Sequence, residues 1–256
     1  MKGWMIFGHA LQLVLGNRRQ AARIAALPVA GLHLATWAIL SASGFTLTTH
    51  SAGQASGISG GGTLTGTAAF LLCLIWLAGT AWIFVAWHGF VLLAEYPSGW
   101  VPAFHPSRIL GYLGRMVMLL GLSIALMVPA GIVVILAASV TGGGVIALLL
   151  GPVGVLAVSV VIFRLSPVLP ARAIGEFLTL RDVWQATRGT TGALVAIVII
   201  FLVLQMVMQL VAAIMAAILA PLGILAAYGV AVFSGLLAAS LLTSFYGHFI
   251  EGRALR

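Results

Sequence analysis

Charge is what this chain has least of. Of its 256 residues only 6% are Asp, Glu, Lys or Arg, and just four of those are acids. An ordinary soluble domain carries about 25%. A surface so poor in charge cannot face water on every side, which excludes a soluble globular protein. Cysteine is almost as scarce: the lone Cys73 excludes an internal disulfide and offers no metal motif. The period-2 alternation of transmembrane barrel strands is missing as well. No coherent set of nucleophile, base and metal ligands can be assembled from the titratable residues, so an enzyme is not expected.

What is abundant is apolar sequence. Hydrophobic residues make up 62% of the chain, and several runs exceed the roughly 20 residues needed to cross a hydrocarbon core of about 30 Å. Six spans are expected, at 24–43, 68–94, 113–139, 145–165, 192–219 and 224–250. The fold class is therefore an all-α integral membrane protein, with residues 1–256 forming one six-helix transmembrane domain. The second, fifth and sixth runs are longer than a straight crossing needs, so those helices should tilt or project into the headgroups.

The few charges are segregated. Lys2, Arg18, Arg19 and Arg23 precede the first span, and Arg108 and Arg115 surround the second connection. Arg164, Arg172, Arg181 and Arg188 surround the fourth, and Arg253 and Arg256 close the chain. The acids Glu95, Glu176, Asp182 and Glu251 fall in the same regions, whereas 44–67, 140–144 and 220–223 are uncharged. The positive-inside rule then puts both termini in the cytoplasm.

Two segments on that side read as interfacial. In 1–23, Trp4, Phe7, Gly8, Leu11, Val14 and Leu15 recur at helical spacing, and the arginines that follow argue against a cleavable signal. In 166–190, two prolines end the fourth span, and Thr179 with Asp182 has capping-box spacing. A short helix there would put Leu180, Val183, Trp184 and Thr187 opposite Arg181, Asp182, Gln185 and Arg188.

Candidate chemistry is sparse. His88 and Glu95 share a helical face near the end of the second span but are about 10 Å apart along the axis. His88 should hydrogen-bond within the bundle. Glu95, at a helix C-terminus, needs a basic neighbour, with Arg164 favoured and Arg115 next. His33 lies at a depth that would let it share a site with His88, yet no acid stands behind either, and no cofactor or metal is expected. Gln205 and Gln209, four apart in the fifth span, should face another helix or line a midplane polar site. Pro129 and Pro152 could break adjacent helices near the same depth, as in transporters. "GISG" at 57–60 matches the short serine motif of rhomboid proteases, but Ser59 lies in a Gly, Ser and Thr-rich loop rather than opening a buried helix. Spans two and six finish alike, "WHGFVLLAE" beside "FYGHFIEG".

The stretches "WHGFVLLAE" and "RLSPVLPARAIGEFLTLRDVWQATRG" resemble parts of uncharacterised bacterial multi-pass proteins similar to the membrane domain attached to some glycerophosphodiester phosphodiesterases. The resemblance covers roughly Trp87 to Gly189 and implies a membrane architecture in a bacterial inner membrane. The phosphodiesterase domain is absent, so its hydrolase activity is not implied. A formal charge of +8 gathered on one leaflet points to anionic lipid, or a membrane-protein partner, rather than nucleic acid. Arg18, Arg19, Arg181 and Arg188 are the expected headgroup contacts. A small transporter or permease component using Gln205 and Gln209 is the alternative.

Overall fold

The computed structural model describes residues 2–48, 57–59, 63–141 and 144–254. Six helices are long and apolar enough to cross a membrane. They are α2 (Arg18–Ala42), α3 (Gly66–Leu93), α4 (Pro106–Thr141), α5 (Gly144–Leu165), α8 (Thr191–Ile218) and α9 (Ala220–Phe249). Three shorter helices, α1 (Lys2–Gly16), α6 (Val168–Ala173) and α7 (Leu180–Ala186), gather at the end of the bundle where the charges lie. Two three-residue strands, β1 (Thr46–Thr48) and β2 (Gly57–Ser59), pair antiparallel with Thr46 opposite Ser59. The "GISG" serine therefore sits on a strand of a hairpin and not at the start of a buried helix.

Local sequence explains the breaks. The Thr65 side chain accepts from the Ala68 N–H at 3.2 Å and starts α3. That helix stops at Ala94, whose φ of 56° is left-handed, with the Glu95 N–H returning to the Gly89 carbonyl. Between α8 and α9, Leu219 is extended and Pro221 opens the next helix. Gly223 packs so closely on Ala216 that a Cβ would collide with it.

Three apolar clusters hold the bundle together, and α9 takes part in all of them. Ile24, Val29 and Leu32 of α2 meet Ile83, Trp87 and Phe90 of α3 and Leu236 of α9. Tyr112, Leu119, Val168 and Val183 pack with Val85 and Leu242. Ile6, Phe7 and Ala10 of α1 pack with Leu194, Ile197, Leu237 and Phe245. Most of these residues lie in the half of each helix nearer the charges. Towards the uncharged end no residue of 124–140 or 145–155 is fully buried, and Ile124, Val128, Ile132, Val133, Leu148 and Val153 are exposed. Apolar surface gains nothing by leaving lipid for protein, so packing is tight where shape and polar contacts reward it.

Several boundaries differ from the sequence expectation. α2 begins at Arg18 rather than 24, and α4 at Pro106 rather than 113. Arginines are good helix formers and snorkel to the interface, so charge did not mark the helix start. α1 is inserted against α8 and α9 and does not simply lie on the surface. Its buried face is Ile6, Phe7, Ala10 and Val14, while Trp4 and Leu15 are exposed. Gly3 and Ala10 allow this approach; a Cβ on Gly3 would sit 2.6 Å from the Ala193 carbonyl oxygen. The first part of 166–190 is core as well: Val168, Leu169, Pro170, Ala171 and Ala173 are all buried. Apart from the half-buried Arg172 this helix is apolar, so it packs into the core and does not lie on a surface.

Candidate functional site at the basic end

His88 is fully buried between α3, α4 and α9. Its Nδ1 lies 2.7 Å from Thr243 Oγ1, and the Thr243 hydroxyl itself donates to the Ala239 carbonyl at 2.8 Å. The threonine oxygen must then accept, so Nδ1 carries the proton. Nε2 is left to accept from the Tyr112 hydroxyl at a longer 3.4 Å. One helical position earlier, Trp87 Nε1 donates to Ser240 Oγ at 2.9 Å. The hydrogen bond expected of His88 within the bundle is present, and α9 supplies its partner. His33 has a separate environment, with its Nδ1 2.8 Å from the Val29 carbonyl and its ring edge-on to Trp76 and Tyr228.

Glu95 pairs with neither arginine expected of it. Arg108 Nη1 lies 2.9 and 3.0 Å from its two carboxylate oxygens. Arg108 is the first base after the turn, and the α4 helix starts early enough to bring it back over Glu95. The carboxylate rests on Gly89, where a Cβ would be 2.6 Å from Oε2. The end of α9 is built alike, since Glu251 pairs with Arg253 at 2.6 Å and the Arg253 N–H returns to the Gly247 carbonyl. A cavity of about 270 Å³ opens beside Glu95, walled by Ile24, Val85 and Ala86 and rimmed by Tyr96, Ser98 and His105. A second, of about 40 Å³, is lined by His9, Thr243 and Ser244, and the buried Ser244 Oγ has no hydrogen-bond partner among the described residues.

Arg115 and Arg164 instead tie down 175–190. Arg115 Nη2 reaches the Leu178 carbonyl at 3.4 Å. Arg164 donates to Thr187 Oγ1 and to the Trp184 carbonyl, both at 3.1 Å, and stacks 3.8 Å from the Trp184 ring centroid. Val183 and Thr187 are buried as the spacing predicts, while Trp184 is 38% exposed beneath that guanidinium. Arg181 and Arg188 are exposed, and so are Arg18 and Arg19. The capping box forms: Asp182 Oδ2 accepts from the Thr179 hydroxyl at 2.6 Å and from its N–H at 3.1 Å. These bonds, aided by the Arg181 charge, hold the Asp182 carboxyl below its ordinary range. Glu176 accepts from the Tyr246 hydroxyl at 2.6 Å.

Of the midspan amides, Gln205 has the expected helix partner, since Ser234 Oγ donates to its Oε1 at 2.6 Å. Gln209 does not. It is exposed on α8 and has no hydrogen-bond partner among the described residues. Pro129 and Pro152 lie inside continuous helices, α4 and α5. Among the described residues no group of three or more His, Cys, Asp or Glu could hold a metal.

No family model, no curated protein and no solved structure matches this chain. The chain is a multi-pass helical membrane protein.

Proposed function

We propose that this is a non-enzymatic accessory or assembly subunit of a bacterial inner membrane, with both termini cytoplasmic, whose basic face binds anionic lipid headgroups. The observation carrying this reading is the fate of the acids. Glu95 and Glu251 are ion-paired with Arg108 and Arg253, and Glu176 and Asp182 bond the neutral hydroxyls of Tyr246 and Thr179 rather than an arginine. Exposed Arg18, Arg19, Arg181 and Arg188 are ion-paired to no described residue. Four acids against twelve basic residues leave an excess of positive charge, at about 1 kcal/mol of attraction per near-surface arginine. Kinship to the membrane domain found beside some glycerophosphodiester phosphodiesterases belongs to the same proposal. The transporter alternative is supported less, because Ser234 occupies the Gln205 oxygen.

Native mass spectrometry after exchange into phosphatidylglycerol or phosphatidylcholine tests the lipid reading. Replacing Arg18, Arg19, Arg181 and Arg188 by Gln should weaken phosphatidylglycerol retention by about fivefold per residue while leaving phosphatidylcholine unchanged. Equal retention of phosphatidylglycerol by both proteins would refute it.

A further inference from the structure

Gln205 and Gln209 are the only amides beyond the first turn of any span. Gln205 is served within the chain, whereas Gln209 projects from α8 with no hydrogen-bond partner among the described residues. Its position on the 28-residue α8 is about 7 Å from the helix midpoint. A glutamine there is too short to snorkel to either interface, and an amide left facing acyl chains is costly. The face around it suits a neighbouring helix. Leu202 and the 72% exposed Met206 lie two turns and one turn before Gln209 on the same side, and exposed Ala213 lies one turn after it. A small residue beside a polar one is what lets two helices come close enough to bond.

We propose that the protein self-associates through this face of α8, about a two-fold axis in which Gln209 of each copy bonds Gln209 of the other. A second copy is the occupant because the amide carries both a donor and an acceptor. Across a two-fold axis each NH₂ can meet the opposite C=O, so the residue is complementary to itself and leaves no amide group facing lipid. A heterologous partner would have to supply a separate matching group at the same depth. The inference is independent of the basic face, which lies at the far end of α8.

Cysteine crosslinking in native membranes tests it, after Cys73→Ala removes the background thiol. Gln209→Cys should form a disulfide-linked species of twice the chain mass on oxidation. Leu210→Cys, about 100° further round the helix, should form far less. In bilayers, single-molecule photobleaching should give two steps for the unmodified chain. Gln209→Leu removes both bonds of the pair and should weaken association by about eightfold, two interhelical bonds at the average measured in membranes, and Gln209→Asn should retain part of it. Since Gln209 is exposed and hydrogen-bonds to no described residue, Gln209→Leu should keep the helix content and melting temperature of the monomer. One-step bleaching with no crosslink at 209 overturns the proposal. So does a crosslink at 209 to a different protein alone, or association unchanged by Gln209→Leu.

Discussion

Thr243→Val tests the His88 network most directly, because it replaces one oxygen by a methyl group of similar size. In the structure the change removes the acceptor 2.7 Å from His88 Nδ1 and leaves that N–H buried without a partner. An orphaned donor costs about 1–3 kcal/mol in proteins generally, but hydrogen bonds between membrane helices average only about 0.6, with a maximum near 1.7. The short distance and complete burial place this one in the upper part of the membrane range, about 1–1.7 kcal/mol. Thr243→Val also loses the bond to the Ala239 carbonyl, so the cost attributable to His88 has to be isolated by a double-mutant cycle. In a His88→Leu background the Ala239 term persists and the His88 term vanishes. Unfolding in mixed micelles, followed by circular dichroism, should therefore show Thr243→Val costing about 1–1.7 kcal/mol less in His88→Leu than in the parent. The corresponding cycle with Tyr112→Phe should give a smaller coupling, since that contact is 3.4 Å. Costs for Thr243→Val that agree within about 0.3 kcal/mol in the two backgrounds would mean that the histidine and threonine are not coupled.

Arg164→Lys should loosen α7, because an ammonium cannot hold Thr187, the Trp184 carbonyl and the Trp184 ring at once; unchanged hydrogen exchange at 180–188 would contradict this. Thr179→Ala should destabilise the same helix by about 1 kcal/mol, read as faster amide exchange there. The carboxyl of Asp182 titrates lower in the folded chain than in the unfolded one. Its contribution is therefore present above the ordinary Asp range and fades as pH falls through the depressed value, so protection of amides 180–186 relative to intrinsic exchange should fall on acidification and stay flat in Asp182→Asn. Glu95→Gln should cost less than about 1 kcal/mol, because Arg108 and Glu95 are 26% and 41% exposed and solvent screens the pair. A larger loss of melting temperature would show that the pair is worth more than its exposure allows. A reporter fused after residue 43 should be extracytoplasmic, and cytoplasmic activity would reverse the proposed orientation.

The local features that proved legible were those set by neighbours in sequence. The capping box at Thr179 and Asp182 needs only three residues of spacing, and the burial of Val183 and Thr187 follows from helical periodicity. The inward direction of His88 was legible too, because a polar ring in an apolar run has few affordable places. The partner of Glu95 was not. Arg164, Arg115 and Arg108 all lie at a plausible depth, and the choice among them depends on how far α4 extends and which way the turn at Ala94 sends the chain.

Composition and charge placement determined the class of this protein, because apolar runs of that length have one stable environment and backbone groups in lipid must bond within helices. They could not determine which helix faces which, since lipid is as apolar as leucine and exerts little preference between a side chain facing a neighbour and one facing acyl chains. That was decided by the tertiary structure. Small residues let α1 approach α8, and the hydroxyls of α9 drew Trp87 and His88 inward. Two glutamines one turn apart came to opposite fates, because α9 offers Ser234 to Gln205 while Gln209 is left exposed.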